Sequence, residues 1–145
     1  MGTPQFSVPI LENLAKSIYK VVCVYTQPPK KSNRGHKINL SPIQVIAEKL
    51  KLSIRTPIDL KHEEELKFFK QLNPDIVIVV AYGQLIPKNF FEIPREKFIN
   101  IHASLLPKWR GAAPIQRAII NLDNETGISI MKITEELDSG PIMKK

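Results

Sequence analysis

Ile76-Val77-Ile78-Val79-Val80-Ala81 follows Asn73-Pro74-Asp75 and runs into Tyr82-Gly83. Five β-branched residues in a six-residue apolar run, fenced by helix breakers and a glycine, read as a strand buried on both faces. Such a strand belongs at the centre of a parallel sheet. On its N-terminal side, a helix is expected over Leu60 to Leu72, with Leu66, Phe69 and Leu72 on one face and Asp59 as its cap. Glu63 to Glu65 lie near its positive end and read as a solvated face. Earlier still come a strand candidate at Ser53 to Thr56 and a helix opened by Ser41-Pro42, an N-cap followed by an N1 proline. A strand is expected over Lys20 to Thr26, and a helix from Ser7 to Ser17.

On the C-terminal side the spacing gives a short helical segment at Pro87 to Phe91, a strand at Phe98 to His102 and a loop rich in Pro and Gly. A helix near Pro114 to Ile120, a strand at Gly127 to Ile133 and the start of another strand somewhere in Ser139 to Lys145 follow. Helices alternating with strands imply an α/β fold, a mostly parallel sheet with right-handed crossovers and helices on both faces.

A chain of 145 residues has room for one domain, and 43% hydrophobic content excludes a disordered chain. The longest apolar run, Ile76 to Tyr82, is far shorter than the roughly 20 residues of a membrane span, and no secretory signal opens the chain, so a cytoplasmic protein without a membrane partner is expected. Cys23 is the only cysteine and sits in an apolar run, where it reads as a small buried hydrophobe. The histidines are scattered at 36, 62 and 102, without zinc-ligand spacing, so no metal is expected. The net charge of +7 is unevenly placed: residues 1–61 carry ten Lys/Arg against three Asp/Glu, and residues 62–145 carry eleven of each. Pro28 to Lys37, with Lys30, Lys31, Arg34 and Lys37 and no acid, reads as a mobile basic loop.

In open α/β sheets, ligands bind at the carboxyl ends of the strands. Asn100-Ile101-His102 places an amide and an imidazole two residues apart, on one face of a predicted strand. Such a pair can stabilise the oxyanion of a tetrahedral intermediate, or can be a satisfied structural pair. The following Ser104-Leu105-Leu106-Pro107-Lys108-Trp109-Arg110-Gly111-Ala112-Ala113-Pro114 holds the only tryptophan and reads as a pocket-forming loop, in which Trp109 could equally be a packing plug.

The stretch Asn100 to Gln116 resembles the signature of the folate-dependent formyltransferases, and within them the group that acts on methionyl-tRNA. Met1-Gly2-Thr3-Pro4 with Phe6, Ala81 to Pro87 and Leu137-Asp138-Ser139-Gly140 match in the same order, so the resemblance covers the whole chain. It implies a Rossmann-like formyltransferase fold and a catalytic trio of Asn100, His102 and Asp138. It implies a folate site at Ser104, Leu105, Leu106 and Pro107, with Tyr82, Gly83, Gln84 and Leu85 as secondary contacts. The implied co-substrate is 10-formyltetrahydrofolate, no metal is required, and the basic residues Lys30, Lys31, Arg34 and Lys37 would contact tRNA. The reaction expected from it is formyl transfer to the α-amino group of methionine on initiator methionyl-tRNA, in translation initiation, by a monomer. Measured against that family, residues 1–145 would be a catalytic domain without its first strand, its last part and a C-terminal β-barrel domain. A sugar-nucleotide N-formyltransferase, or a non-catalytic RNA-binding fragment, are the alternatives.

Overall fold

A computed structural model describes residues 1–31 and 38–145. A 3₁₀ turn at Gln5–Ser7 leads into α1 (Val8–Lys16), whose Pro9 sits in the first turn, where a missing N–H has no helical partner to lose. After β1 (Val24–Tyr25), β2 (Lys30–Lys31) and β3 (Ile38–Asn39), α2 (Pro42–Lys49) begins as expected, with the Ser41 hydroxyl accepting from the Gln44 N–H at 3.1 Å. Then follow β4 (Ile54–Arg55), α3 (Glu63–Leu72), β5 (Val77–Val79), a 3₁₀ turn at Lys88–Phe90, β6 (Phe98–His102), α4 (Pro114–Ile120), β7 (Ser129–Lys132) and β8 (Ile142–Lys144).

β1 pairs with β4 in parallel, and β5 pairs with β6 in parallel, Val79 opposite Asn100. Met1 and Gly2 join the two pairs. The Gly2 N–H donates to the Tyr25 carbonyl and the Val80 N–H to the Met1 carbonyl, both at 2.9 Å, so residues 1–2 lie in the sheet between β1 and β5. The Met1 nitrogen is buried there and donates to the Ile78 carbonyl at 2.7 Å. The α/β, Rossmann-like architecture is the expected one, with an antiparallel margin that the sequence did not signal: β7 runs against β6, and β8 against β7. His102 ends β6 opposite Ser129, which begins β7, so residues 103–128 leave and re-enter the sheet at the same end of these two strands. They build a loop and a short helix there instead of crossing back.

Helices cover both faces, because successive strand residues point opposite ways. Val24 packs with Val8, Leu11, Ile43 and Ala47, from α1 and α2. Tyr25 packs on the other face with Leu60, Phe69, Val77, Val79, Tyr82, Phe90 and Phe98. Aromatic contacts bind this second cluster: Phe69 lies 4.9 Å from Phe90 and 5.9 Å, edge-on, from Tyr25, ring centroid to centroid.

Several expectations are corrected. The strand read at Lys20 to Thr26 forms only at Val24–Tyr25, where the chain has ladder partners in Ile54 and Arg55. Asp59 does not cap α3; its carboxylate accepts from the Lys61 N–H at 2.8 Å, and the helix starts at Glu63. At the other end Asn73, with φ 43°, closes α3 in the left-handed conformation that asparagine tolerates. Glu65 is not part of a solvated face. It is 6% exposed and accepts from the Tyr25 hydroxyl at 2.9 Å and from Arg55 Nε at 3.1 Å; burial first, and then the Glu65 carboxylate, push the Tyr25 phenol pKa up. Cys23 is half-buried, packs against the second cluster, and burial raises its thiol pKa. The basic loop read at Pro28 to Lys37 starts on a strand: Lys30 and Lys31 of β2 pair with Asn39 and Ile38 of β3, antiparallel.

Candidate active site

β6 projects Asn100 and His102 to one face of the sheet, and the turn before β8 brings Asp138 to both. Asn100 Nδ2 donates to Asp138 Oδ1 at 3.1 Å, and His102 Nδ1 lies 3.5 Å from Asp138 Oδ2. The side chains of His102 and Asp138 are 8% and 11% exposed, so the two groups face each other at low dielectric. Asp138 adopts φ 45°, a left-handed conformation, and its Oδ2 also accepts from the Gly111 N–H at 2.8 Å. Gly111 itself has φ 83°, a region closed to most side chains, so glycine is what lets that N–H turn toward the carboxylate.

His102 Nε2 lies 2.8 Å from the Trp109 carbonyl. A carbonyl only accepts, so Nε2 carries the proton, and Nδ1 can donate to Asp138 only as the imidazolium. The loop that supplies this carbonyl is braced from within. Ser104 Oγ donates to the Lys108 carbonyl at 2.6 Å, Ser129 Oγ donates to the Ser104 carbonyl at 2.7 Å, and the Leu106 N–H donates to Ser129 Oγ at 3.0 Å. The Trp109 indole is no free plug; its Nε1 donates to Asp123 Oδ2 at 2.6 Å.

The residues read as folate contacts divide. Ser104, Leu106 and Tyr82 are at most 2% exposed and present no accessible surface; their place is beneath the loops they shape. Leu85, 82% exposed, together with Gly83 and Pro107, reaches solvent, and Leu105 and Gln84 are half-buried. Residues 82–85 follow the C-terminal end of β5, which neighbours the end of β6 that carries Asn100 and His102. Thr3 Oγ1 donates to the Tyr82 carbonyl and Gln27 Nε2 to the Gly83 carbonyl, each at 2.8 Å, and Gln84 Nε2 reaches the Pro57 carbonyl at 2.9 Å. A fixed edge with exposed apolar and backbone surface suits a flat heterocycle. Of the basic residues, Lys30 is exposed on β2 and Lys31 follows it, while Arg34 and Lys37 lie outside the described residues. Among the described residues, no cluster of three or more His, Cys, Asp or Glu could hold a metal ion, and no helix is long and apolar enough to cross a membrane.

Sequence reasoning missed Gly111, the Trp109 carbonyl and Asp123. The first two act through backbone groups, which no side-chain spacing encodes, and Asp123 lies in a turn without a recognisable motif.

The fold and this arrangement define a class. The family model described as formyl transferase matches residues 1–145, and the chain belongs to that family. It is 63% identical over 143 residues to a methionyl-tRNA formyltransferase of Pelagibacter ubique, covering 98% of this chain and 46% of that protein. A methionyl-tRNA formyltransferase of a Wolbachia strain is 51% identical over 145 residues, covering all of this chain and 48% of that protein. The chain therefore spans about half the length of these relatives. Among solved structures, phosphoribosylglycinamide formyltransferase from Bacillus halodurans superposes with a TM-score of 0.76 at 18% identity, over 97% of this chain and 73% of that one, a likeness of fold.

Proposed function

We propose that the chain is the formyl-transferring part of an enzyme that moves a formyl group from 10-formyltetrahydrofolate to the α-amino group of methionine on initiator methionyl-tRNA. The reading rests on one observation, the convergence of Asn100, His102 and Asp138 on a braced loop. The high identity to methionyl-tRNA formyltransferases supports the choice of acceptor.

The transfer forms a C–N bond at the acceptor amine and breaks the bond to the folate nitrogen; the amine gives up a proton and the folate nitrogen gains one. Asn100 has a second Nδ2 hydrogen beyond the one given to Asp138, and donates it to the oxyanion of the tetrahedral intermediate. His102, as an imidazolium, adds positive charge beside it, and a donor of this kind is worth ~3 kcal/mol of barrier. Asp138 holds the amide and the imidazolium in register and accepts the amine proton, directly or through water. The backbone of residues 82–85 and the rim at Leu105 and Pro107 would receive the folate. Lys30, Lys31, Arg34 and Lys37 would neutralise phosphates of the tRNA acceptor, a cytoplasmic partner.

The test incubates the 145-residue chain, and a form extended to the length of its relatives, with 10-formyltetrahydrofolate and methionyl initiator tRNA. Formylmethionine, detected by mass spectrometry after ester hydrolysis, is the expected product. Transfer to an amino-sugar nucleotide in preference to the tRNA, or no transfer by either form, would overturn the reading.

A further inference from the structure

We infer that Asp123 is a positioning residue for His102, acting through Trp109. The inference rests on the functional reading above only for its kinetic consequence; the geometry stands independently. Trp109 is a bulky residue at φ 59°, a left-handed conformation that side chains of its size rarely adopt. That conformation aims its carbonyl at His102 Nε2, 2.8 Å away. Something must hold the residue there, and the contacts of its side chain identify it. The indole Nε1–H donates to Asp123 Oδ2 at 2.6 Å, while Asp123 Oδ1 receives Lys108 Nζ at 2.7 Å and Asn121 Nδ2 at 2.6 Å. The Asp123 side chain is 5% exposed while Lys108 and Asn121 reach solvent, so the carboxylate is fixed between two surface donors and the part-buried indole, each bond directional. Lys108 also lies over the Trp109 ring, 5.6 Å from its centroid. The same three donors, the Lys108 ammonium foremost, lower the Asp123 pKa to about 2, so it is a full carboxylate at any working pH.

Asp123 thus fixes the indole, the indole fixes the Trp109 backbone, and the Trp109 carbonyl holds the Nε2 proton of His102. With Nε2 held, the opposite nitrogen faces Asp138 at 3.5 Å. Asp123 touches no reacting group in this chain of contacts; it sets the orientation of one that does.

The test compares Asp123→Ala, Asp123→Asn and Trp109→Phe, each checked for folding by circular dichroism. Two quantities are read: solvent exchange of the His102 Nε2 proton by long-range proton–nitrogen NMR, and steady-state formyl transfer. In Asp123→Ala the proton is expected to exchange about tenfold faster, as in a locally loosened segment. Its kcat should fall about tenfold with either KM changed less than about twofold, the signature of a misoriented group. Asp123→Asn retains an oxygen for the indole N–H and should recover most of both losses. Trp109→Phe, which keeps an aromatic ring and removes the donor, should reproduce Asp123→Ala, and combining the two should cost no more than either. Unchanged His102 exchange in Asp123→Ala and Trp109→Phe, or losses that add in the double variant, would overturn the inference. A parent chain without formyl transfer whose His102 proton still loosens in Asp123→Ala would sink the functional reading and leave the positioning role standing.

Discussion

The backbone N–H of Gly111 donates to Asp138 Oδ2 at 2.8 Å, joining residues 27 apart in sequence. The loop after β6 and the turn before β8 are therefore one assembly built around a carboxylate, and the same carboxylate receives Asn100. A change to either segment reaches the other through Asp138.

If His102 stabilises the developing oxyanion, His102→Ala should lower kcat at least ~100-fold while the circular dichroism spectrum stays that of the parent. Asn100→Ala should lose about 100-fold as an oxyanion donor. Undiminished turnover in either variant would remove that residue from the chemistry.

Gly140 has no room for a side chain. A Cβ built there would lie 1.9 Å from the Lys132 carbonyl oxygen, a backbone atom that cannot swing aside, next to the Lys132 N–H bond to the Pro141 carbonyl. Gly140→Ala should destabilise the chain by about 2 kcal/mol or more and displace Asp138, lowering both the unfolding midpoint and transfer. Chemical denaturation of the variant and parent side by side measures it.

Glu65 accepts from a buried tyrosine and an arginine at once. Glu65→Ala leaves the Tyr25 hydroxyl without its partner inside the core and should cost about 2 kcal/mol, whereas Glu65→Gln keeps an acceptor and should cost less. Equal losses in urea unfolding would show that the hydrogen bond to Tyr25 is not the stabilising element.

The carboxyl of Asp123 is held low chiefly by Lys108, with Asn121 and Trp109, at about 2 against an ordinary value of 3.8. A depressed acid stabilises the fold fully above its unfolded value and loses that contribution as pH falls through its folded one. Stability from this group should thus be level above pH ~4 and decline between pH ~4 and ~2. Asp123→Asn should flatten that limb in an unfolding series against pH, and an unchanged acid limb would contradict the assigned cause.

Neutralising Lys30, Lys31, Arg34 and Lys37 should raise the KM for tRNA far more than that for the folate. It should also reduce the salt dependence of binding, with the logarithmic slope falling by ~0.7 to 0.9 for each phosphate that the variant no longer neutralises. Equal effects on both substrates would count against a tRNA-facing role.

Hydrophobic periodicity alone marked Phe98 to His102 and Pro114 to Ile120 with the bounds they have, because those segments carry their own strand pattern and helix-starting proline. It also put Asn100 and His102 on one face, since alternation along a strand is a local property. Asp138 came from resemblance, not from spacing, because residues 38 apart share no local geometry. The tertiary structure decided the rest. It turned β7 and β8 antiparallel, and it buried Glu65 out of a run of three acids because Arg55 and Tyr25 arrive from other strands to receive it. It also turned the Trp109 carbonyl and the Gly111 N–H onto the site. Periodicity reports which side chains prefer water; where a backbone group points, and which distant side chain meets it, depends on how separate segments pack.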